Sequence, residues 1–324
     1  MIAQDFETAP ARGSGKIDIQ SENFLRPRVG VFAMEAPAMP EDRDAPFMII
    51  FTDLDGTLLD HASYSWKDAL PALEQCKRFK VPVILVSSKT RAEMAVLRDA
   101  LELPHPFISE NGGGLFFPCA EGEKAPPGAR RINNMWQFSL GTPYGQLVES
   151  FRAIRDELGW KLRGFSDMTL QDIARLTGLD LEDSRLAAAR EYDEPFLMEE
   201  EGAMDMGLLH DAADRRGLQV SLGGRFYHLH GNNDKGEAVK MVTARYREIH
   251  PFVFTAAFGD SPNDFSMLKQ VDCPVLIRSP RRRPGIEEDL PGVRISRDMG
   301  PKGWNAVVLD LLAETLRKGV TRDV

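Results

Sequence analysis

The chain has 324 residues, which is long enough for two domains of ordinary size and too long for a small disulfide-stapled scaffold. Hydrophobic residues make up 43% of the chain and charged residues 27%, a composition typical of a globular protein rather than a disordered or fibrous one. No apolar run approaches the roughly 20 residues that a membrane-spanning helix needs, and a formal net charge of −9 argues against a nucleic-acid-binding surface.

The first 46 residues contain several prolines and no sustained helical or alternating apolar pattern, so we expect an irregular extension over 1–46. This stretch lacks the basic start and apolar segment of a secretory signal. It also carries several acidic residues, whereas transit peptides are poor in them. The three cysteines of the chain form no CxxC pair. This sparse set indicates reduced thiols and a cytoplasmic protein.

From residue 47 the sequence alternates between strand and helix patterns. The continuous apolar run over 47–51 predicts a central parallel strand that is buried on both faces, and a second strand is predicted over 81–86. A helical pattern follows each strand, opened by residues with capping-box spacing: Ser65 with Asp68, and Thr90 with Glu93. This alternation predicts an α/β fold with a Rossmann-like, doubly wound parallel sheet.

The alternation pauses near 107–114 and resumes after Asp234 with a helix predicted over 235–247. The segment between them has strand-like and helix-like stretches of its own, including a strand predicted over 131–140 and a helix that runs through Arg190. We therefore predict an α/β domain over 118–227, inserted between two parts of the core. Those core parts are 47–117 and 228–324, and the second ends in a helix with an apolar stripe from Trp304 onward.

Polar clusters stand where the predicted core strands end or its helices begin, at the edge where parallel sheets bind ligands. The clusters are 53–57 after the first strand, Ser87 and Ser88 after the second, Lys235 at a helix start, and 260–264 after a strand over 252–258. Paired acids at one edge repel each other unless a cation or a proton accommodates them, and such oxygen ligands suit Mg²⁺. Hydroxyls that lead into a helix start favour a phosphate.

The motifs Asp-x-Asp-Gly-Thr, a strand-terminal serine, a helix-initial lysine and Gly-Asp-x-x-Asn-Asp, in that order, resemble the four motifs of haloacid dehalogenase-like phosphatases. The insertion resembles the larger α/β cap, the C2B type, of the Cof-type branch. Finer motifs are similar to those of mannosyl-3-phosphoglycerate phosphatases, at 58–61, 64–66, 87–90, 106–112, 177–179, 190–196, 223–226 and 300–304. The resemblance covers 47–318 and leaves the extension unmatched.

The resemblance implies a role for each core motif. Asp53 would be the nucleophile that forms an aspartyl-phosphate, and Asp55 would protonate the leaving alkoxide and later deprotonate the attacking water. Mg²⁺ would be held by the Asp53 carboxylate, the Asp55 backbone carbonyl and Asp260. Phosphoryl oxygens would be bound by Ser87, Ser88 and Lys235, while Asn263 and Asp264 would lie behind the metal ligands or contact the metal through water.

Some of these residues have simpler interpretations. Asp53 and Asp55 alone would be turn residues, and only the combination with the other motifs favours catalysis. Asp264 also has the position of a capping-box acid, and we expect it to serve both roles.

In the insertion, the polar candidates for binding the substrate are Arg190, Glu191 and Arg225. Arg190 has an equally good alternative, since a cation at the end of a helix complements the helix dipole. Asn111, in a glycine-rich stretch at the junction with the core, is a further candidate that could face the site.

The activity implied by the resemblance is Mg²⁺-dependent hydrolysis of mannosyl-3-phosphoglycerate to mannosylglycerate and phosphate. Alternatives are a phosphatase for glucosyl-3-phosphoglycerate or another sugar phosphate, a phosphosugar mutase, and a non-catalytic protein that binds phosphorylated metabolites. The expected partner is a small-molecule sugar phosphate, with no nucleic acid and no membrane, and the sequence leaves the oligomeric state open.

Overall fold

The computed structural model describes residues 46–199, 205–223, 225–280 and 289–320, so residues 1–45 of the predicted extension lie outside the described part. Within these ranges the strands are β1 (Phe47–Thr52), β2 (Val83–Val86), β3 (Phe107–Ser109), β4 (Gly114–Pro118), β5 (Ala129–Ile132), β6 (Met135–Ser139), β7 (Leu162–Gly164), β8 (Asp193–Met198), β9 (Gln219–Leu222), β10 (Tyr227–His230), β11 (Val253–Gly259), β12 (Cys273–Arg278) and β13 (Arg294–Met299). The helices are α1 (Leu70–Arg78), α2 (Arg91–Ala100), α3 (Tyr144–Leu158), α4 (Leu170–Thr177), α5 (Leu181–Ala187), α6 (Met206–Asp214), α7 (Lys235–Arg247), α8 (Phe265–Leu268) and α9 (Gly300–Val320).

Nine strands form one sheet, in the order β13-β12-β11-β1-β2-β3-β4-β6-β5. The six strands from β13 to β3 pair in parallel, and β4, β6 and β5 extend the sheet with antiparallel pairs. β1 lies in the parallel part, where Phe51 stands opposite Ala257 of β11 and Ile84 of β2.

Both faces of β1 are covered, which explains why its sequence is apolar without interruption. Met48 and Ile50 join one core cluster together with residues of α1, α2 and α9. Ile49 and Phe51, which point the other way, join a second cluster with residues of α7 and α8. Helices therefore cover the parallel sheet on both sides, and the predicted α/β fold with a doubly wound sheet is confirmed.

A second sheet of four strands, in the order β7-β8-β10-β9, is antiparallel throughout. Its apolar side packs against α3 and α6 in a separate core cluster that contains Phe151, Phe196 and Leu209. β7, β8 and β9 and the helices packed on them lie within the predicted insertion over 118–227. β10 belongs to the same sheet but runs to His230, beyond the predicted bound, and the domain boundaries remain a prediction.

The strand predicted over 131–140 differs from the observed structure. It is a hairpin of β5 and β6, and it pairs through β6 with β4 of the nine-stranded sheet rather than with the four-stranded one. Asn133 breaks the run in a left-handed conformation, with φ 53°. Asparagine tolerates this conformation, which is suited to a tight turn.

Some of the predicted helix ends agree with the structure and others do not. The Thr90–Glu93 capping box is present at α2, as predicted. Ser65 instead accepts a hydrogen bond from the backbone N–H of Lys67, in front of a short 3-10 turn, and α1 begins only at Leu70 without a side-chain cap. The helix predicted to run through Arg190 ends at Ala187.

Across the described ranges, we find no helix with the length and apolar character that crossing a membrane requires.

Candidate active site

The predicted polar clusters meet at the carboxyl edge of the parallel strands. Asp53 follows β1, Ser87 follows β2 and Asp260 follows β11, while Lys235 is the first residue of α7. Carboxylate oxygens of Asp53, Asp260 and Asp264 lie within 4.8 Å of one another. The four core motifs, far apart in sequence, thus form one site.

The side chain of Lys235 lies at the centre of this site and is 2% exposed. Its Nζ donates to Asp53 Oδ1 and to Asp264 Oδ1, both at 2.7 Å. The second oxygen of Asp264 accepts hydrogen bonds from the backbone N–H groups of Asp260 and Ser261, at 3.0 and 3.1 Å. Asp264 therefore connects the buried ammonium to the loop that carries Asp260, and it also completes the predicted capping box with Ser261.

Burial and charge act together on these groups. Burial raises the pKa of Asp53 above its ordinary value and the nearby Asp264 carboxylate adds to the effect, while Lys235 opposes it. The pKa of Asp260 rises to about 6, mainly through burial and then through Asp264. Burial disfavours the Lys235 ammonium, but Asp264 and Asp53 outweigh that effect and raise its pKa, so it stays protonated. One cation thus faces three carboxylates.

This donor set fits a magnesium ion. All three side chains offer oxygen, the ligand that Mg²⁺ prefers, and their mutual distances would let them share one ion. The charge imbalance at the cluster is what a divalent cation would neutralise. No nitrogen or sulfur ligand belongs to this group, which argues against a zinc site among the described residues.

The loop that follows β1 requires a glycine at position 56. Gly56 adopts φ +85°, and a Cβ there would lie 2.7 Å from Asp260 Oδ2. The loop is further fixed by a hydrogen bond from the Gly56 N–H to the Leu59 carbonyl, at 2.9 Å. The close approach of Gly56 to Asp260 brings the loop that carries Asp53 and Asp55 next to the loop that carries Asp260.

Asp55 has an ionic partner that the sequence analysis did not identify. Lys89 Nζ lies 2.9 Å from Asp55 Oδ2, and the two side chains are 17% and 35% exposed. The only sequence signal was the run at 87–90, where a lysine directly follows the two predicted phosphate-binding serines. Of those serines, Ser87 is buried and Ser88 is half-buried.

The loop after β3 packs against the start of α7. Asn111 has φ 54° and donates its backbone N–H to the Ser87 carbonyl, at 3.0 Å. Its side-chain oxygen accepts from Asn263 Nδ2 at 2.9 Å, so two predicted site residues are in direct contact. A Cβ on Gly112 would lie 2.1 Å from the Asp234 carbonyl oxygen, and only glycine allows this approach.

Glu110, next to Asn111, is a buried carboxyl that the sequence analysis also missed. Its side chain accepts backbone N–H groups of Glu191 and Tyr192, at distances from 2.7 to 3.1 Å. Burial raises the pKa of Glu110 to about 8, although Arg190 opposes the shift. The carboxyl joins the β3 loop to the segment that enters the four-stranded sheet.

Arg190, predicted to bind the substrate, already has several acceptors. Its Nε donates to the Ala187 carbonyl at 2.9 Å, and Nη1 donates to the Ser88 carbonyl at 2.9 Å and to Asp193 Oδ2 at 3.2 Å. The bond to Ala187, the last residue of α5, is the helix-end contact that the alternative interpretation expects. A substrate contact for Arg190 remains a prediction.

Glu191 and Arg225 also contact protein groups. Glu191 accepts from Arg91 Nε at 2.7 Å and from Gln137 Nε2 at 2.8 Å. Arg225 donates to the carbonyls of Leu176 and Thr177, at 3.0 and 3.2 Å, at the end of α4. Their predicted roles in binding substrate remain predictions.

Comparisons with known proteins identify relatives of this chain. A family model described as haloacid dehalogenase-like hydrolase matches residues 50–118. A protein of Methanococcoides burtonii, named glucosyl-3-phosphoglycerate/mannosyl-3-phosphoglycerate phosphatase, is 42% identical over 269 residues, which are 82% of this chain and 97% of that protein. A mannosyl-3-phosphoglycerate phosphatase of Pyrococcus furiosus is 34% identical over 229 residues, 71% of this chain and 90% of that protein.

Two solved structures show the same fold. A Thermoplasma acidophilum protein aligns with a TM-score of 0.57 and 17% identity, covering 82% of this chain and 98% of its own. A sugar phosphatase of haloacid dehalogenase subclass IIB aligns with a TM-score of 0.54 and 12% identity, again covering 82% of this chain and 98% of its own. At these identities the likeness concerns the fold alone.

Proposed function

The chain belongs to the haloacid dehalogenase-like hydrolases, and from that membership we propose that it is a Mg²⁺-dependent phosphatase of glycosyl-3-phosphoglycerates. Mannosyl-3-phosphoglycerate is the proposed principal substrate. Glucosyl-3-phosphoglycerate is included because the 42% identical relative carries both names. The observation that carries the proposal is the cluster in which Lys235 holds Asp53 and Asp264 beside Asp260.

In the proposed reaction Asp53 is the nucleophile. Lys235 binds its Oδ1 at 2.7 Å, which orients the carboxylate and leaves Oδ2 to attack phosphorus. As the new bond forms, the bond from phosphorus to the C3 oxygen of the glycerate breaks, and Asp55 gives its proton to that oxygen. Asp55 then takes a proton from water, whose oxygen attacks phosphorus and releases phosphate and the Asp53 carboxylate.

The phosphoryl oxygens would be bound by Ser87, Ser88 and Lys235. A lysine has three N–H donors, and Lys235 uses two of them for Asp53 and Asp264, so a third would serve the phosphoryl group. Negative charge shifts onto these oxygens in the transition state. Fixed hydrogen-bond donors in a buried site stabilise this charge more than the same donors would in water.

Mg²⁺ would be held by the Asp53 carboxylate, the Asp55 backbone carbonyl and the Asp260 carboxylate. Once bound, it would neutralise phosphoryl oxygens so that one anion can approach another. Asp264 would support this set through its bonds to the Asp260 loop and to Lys235, and Asn263 through its contact with Asn111.

The test is a phosphate-release assay on a substrate panel with an Asp53→Asn variant. We expect the wild type to show its highest kcat/KM on the mannosyl and glucosyl compounds, and D53N to lower kcat at least about a thousand-fold. Asp156→Asn is the matched control, because Asp156 lies on α3 with its side chain 80% exposed. Wild-type rates for D53N would exclude Asp53 as the nucleophile.

The same assay separates the alternatives. A mutase would convert its substrate into an isomer without net release of phosphate, and a non-catalytic protein would bind the compound without turnover. A clear preference for a sugar phosphate that lacks glycerate would contradict the proposed substrate class while leaving the phosphatase activity in place.

A further inference from the structure

Lys89 stands beside the residue that protonates the leaving group in the proposed reaction. Its Nζ lies 2.9 Å from Asp55 Oδ2 and 5.3 Å from the ring centre of Tyr64. The backbone of Lys89 is fixed as well, because its N–H donates to Ser87 Oγ at 3.2 Å and its carbonyl accepts from the Glu110 N–H at 3.0 Å. The ammonium is therefore held on the leaving-group side of the site.

Among the described cations near the site, Lys89 is the one paired with Asp55, and the others have different partners. Lys235 is 2% exposed between two carboxylates, and the 8% exposed Arg190 has three protein acceptors. Arg91 is engaged by Glu191 at 2.7 Å. The Lys89 ammonium has one paired carboxylate, Asp55, and the charge of Glu93 also acts on it. One hydrogen bond to Asp55 leaves two of its three N–H donors for another acceptor, and the side chain keeps contact with solvent.

A glycosyl-3-phosphoglycerate presents a suitable acceptor at that position. Its leaving oxygen is bonded to C3 of the glycerate. The C1 carboxylate is attached to C2, the carbon next to C3, so it lies near the leaving oxygen. With Asp55 at the leaving oxygen, this carboxylate would come close to the Asp55 side chain. A carboxylate that enters this half-buried site gives up contacts with water and needs a cation or hydrogen-bond donors in exchange. Lys89 lies next to Asp55 and could supply both.

We propose that Lys89 determines specificity by binding the glycerate carboxylate of the substrate with its ammonium group. The enzyme thereby selects phosphate esters in which a carboxylate is attached to the carbon beside the esterified one. This inference rests on the proposed function, since it deepens the substrate class of the same site. The Asp55 ion pair keeps the lysine in position before the substrate arrives.

The test compares two substrates that share one type of leaving group: glucosyl-3-phosphoglycerate, and glucosylglycerol 3-phosphate, in which a CH₂OH group replaces the carboxylate. The variants are Lys89→Met and, as a matched control, Lys240→Met, which removes a lysine paired with Glu237 on the surface of α7. We expect K89M to lower kcat/KM for the carboxylate substrate about 10- to 150-fold more than for the analogue. K240M should change neither value, and Lys89→Arg should restore part of the preference.

Several results would overturn the inference. Equal losses on both substrates would mean that Lys89 acts only through Asp55, and equal kcat/KM values for the two substrates in the wild type would mean that no carboxylate is selected. Wild-type enzyme that hydrolyses neither compound would contradict the proposed function itself.

A second measurement does not depend on the folding of K89M. Glucosylglycerate should inhibit the wild type more strongly than glucosylglycerol, and K89R should retain that order. Equal inhibition by the two compounds would contradict the proposed carboxylate site.

Discussion

Replacing Gly56 by alanine tests how the loop after β1 positions Asp260, the proposed metal ligand. A new Cβ would lie 2.7 Å from Asp260 Oδ2, whereas ordinary contacts begin at 3.4 Å, so the carboxylate or the loop must move by about 0.7 Å. A misplacement of about 1 Å in an active site can cost a factor of about 100 in rate. The positive φ of +85° adds a backbone cost of about 1–2 kcal/mol for any residue with a Cβ.

Gly178 provides the matched control for this experiment. It ends α4 with φ +82°, and a Cβ there would meet no atom within 4 Å. Gly178→Ala should therefore lose a similar free energy of unfolding in a urea titration but keep its kcat. Gly56→Ala should lower kcat by about 30- to 100-fold and require more Mg²⁺ for half-maximal activity. A G56A enzyme with the kcat and Mg²⁺ requirement of G178A would show that the close approach of Gly56 does not position Asp260.

Three further predictions concern buried polar groups. Lys235→Met leaves the buried Asp53 and Asp264 without their cation. Urea titration at neutral pH should therefore show a free energy of unfolding lower by about 3–5 kcal/mol. A decrease below about 1 kcal/mol would contradict the buried ion pair. Burial raises the pKa of Glu110 to about 8, so the folded state keeps a proton that the unfolded chain releases near its ordinary value of 4.5. The stability from this group is therefore complete below about pH 4.5 and is lost as the pH rises through about 8. The stability of wild type relative to Glu110→Gln should fall across that window, and parallel pH profiles would contradict the shift. Thr90→Ala removes the cap of α2 and the hydrogen bond to the Leu186 carbonyl. The same titration should show a free energy of unfolding lower by about 1 kcal/mol, and an unchanged value would contradict the role of the cap.

The site could be predicted from the sequence to the extent that strand ends determine it. Asp53 and Asp260 each directly follow an apolar strand, and parallel strands bring their carboxyl ends to one edge, so their meeting follows from the fold class. The helix predicted over 235–247 is α7, Lys235–Arg247, and Lys235 is its first residue. Backbone topology alone places these groups.

The remainder depends on side-chain directions and long-range contacts that no local pattern encodes. The pairing of Lys89 with Asp55 requires the turns after β1 and β2 to face each other, and a lysine at a helix start is ordinarily solvated. Glu110 bonds to Tyr192, which is 82 residues away in the sequence. The hairpin of β5 and β6 joins the larger sheet because β4 offers it an edge, and its own alternation does not specify which sheet it joins.

We propose that three carboxylates and Lys235 form a Mg²⁺-dependent site for glycosyl-3-phosphoglycerate hydrolysis. The most direct test of this claim is the rate of phosphate release from mannosyl-3-phosphoglycerate, measured with Mg²⁺, after addition of a chelator, and after Mg²⁺ is restored. We predict rapid release with Mg²⁺, loss of activity on chelation, and recovery when the ion returns. Equal rates with and without the chelator, or no release under any of the three conditions, would contradict the claim.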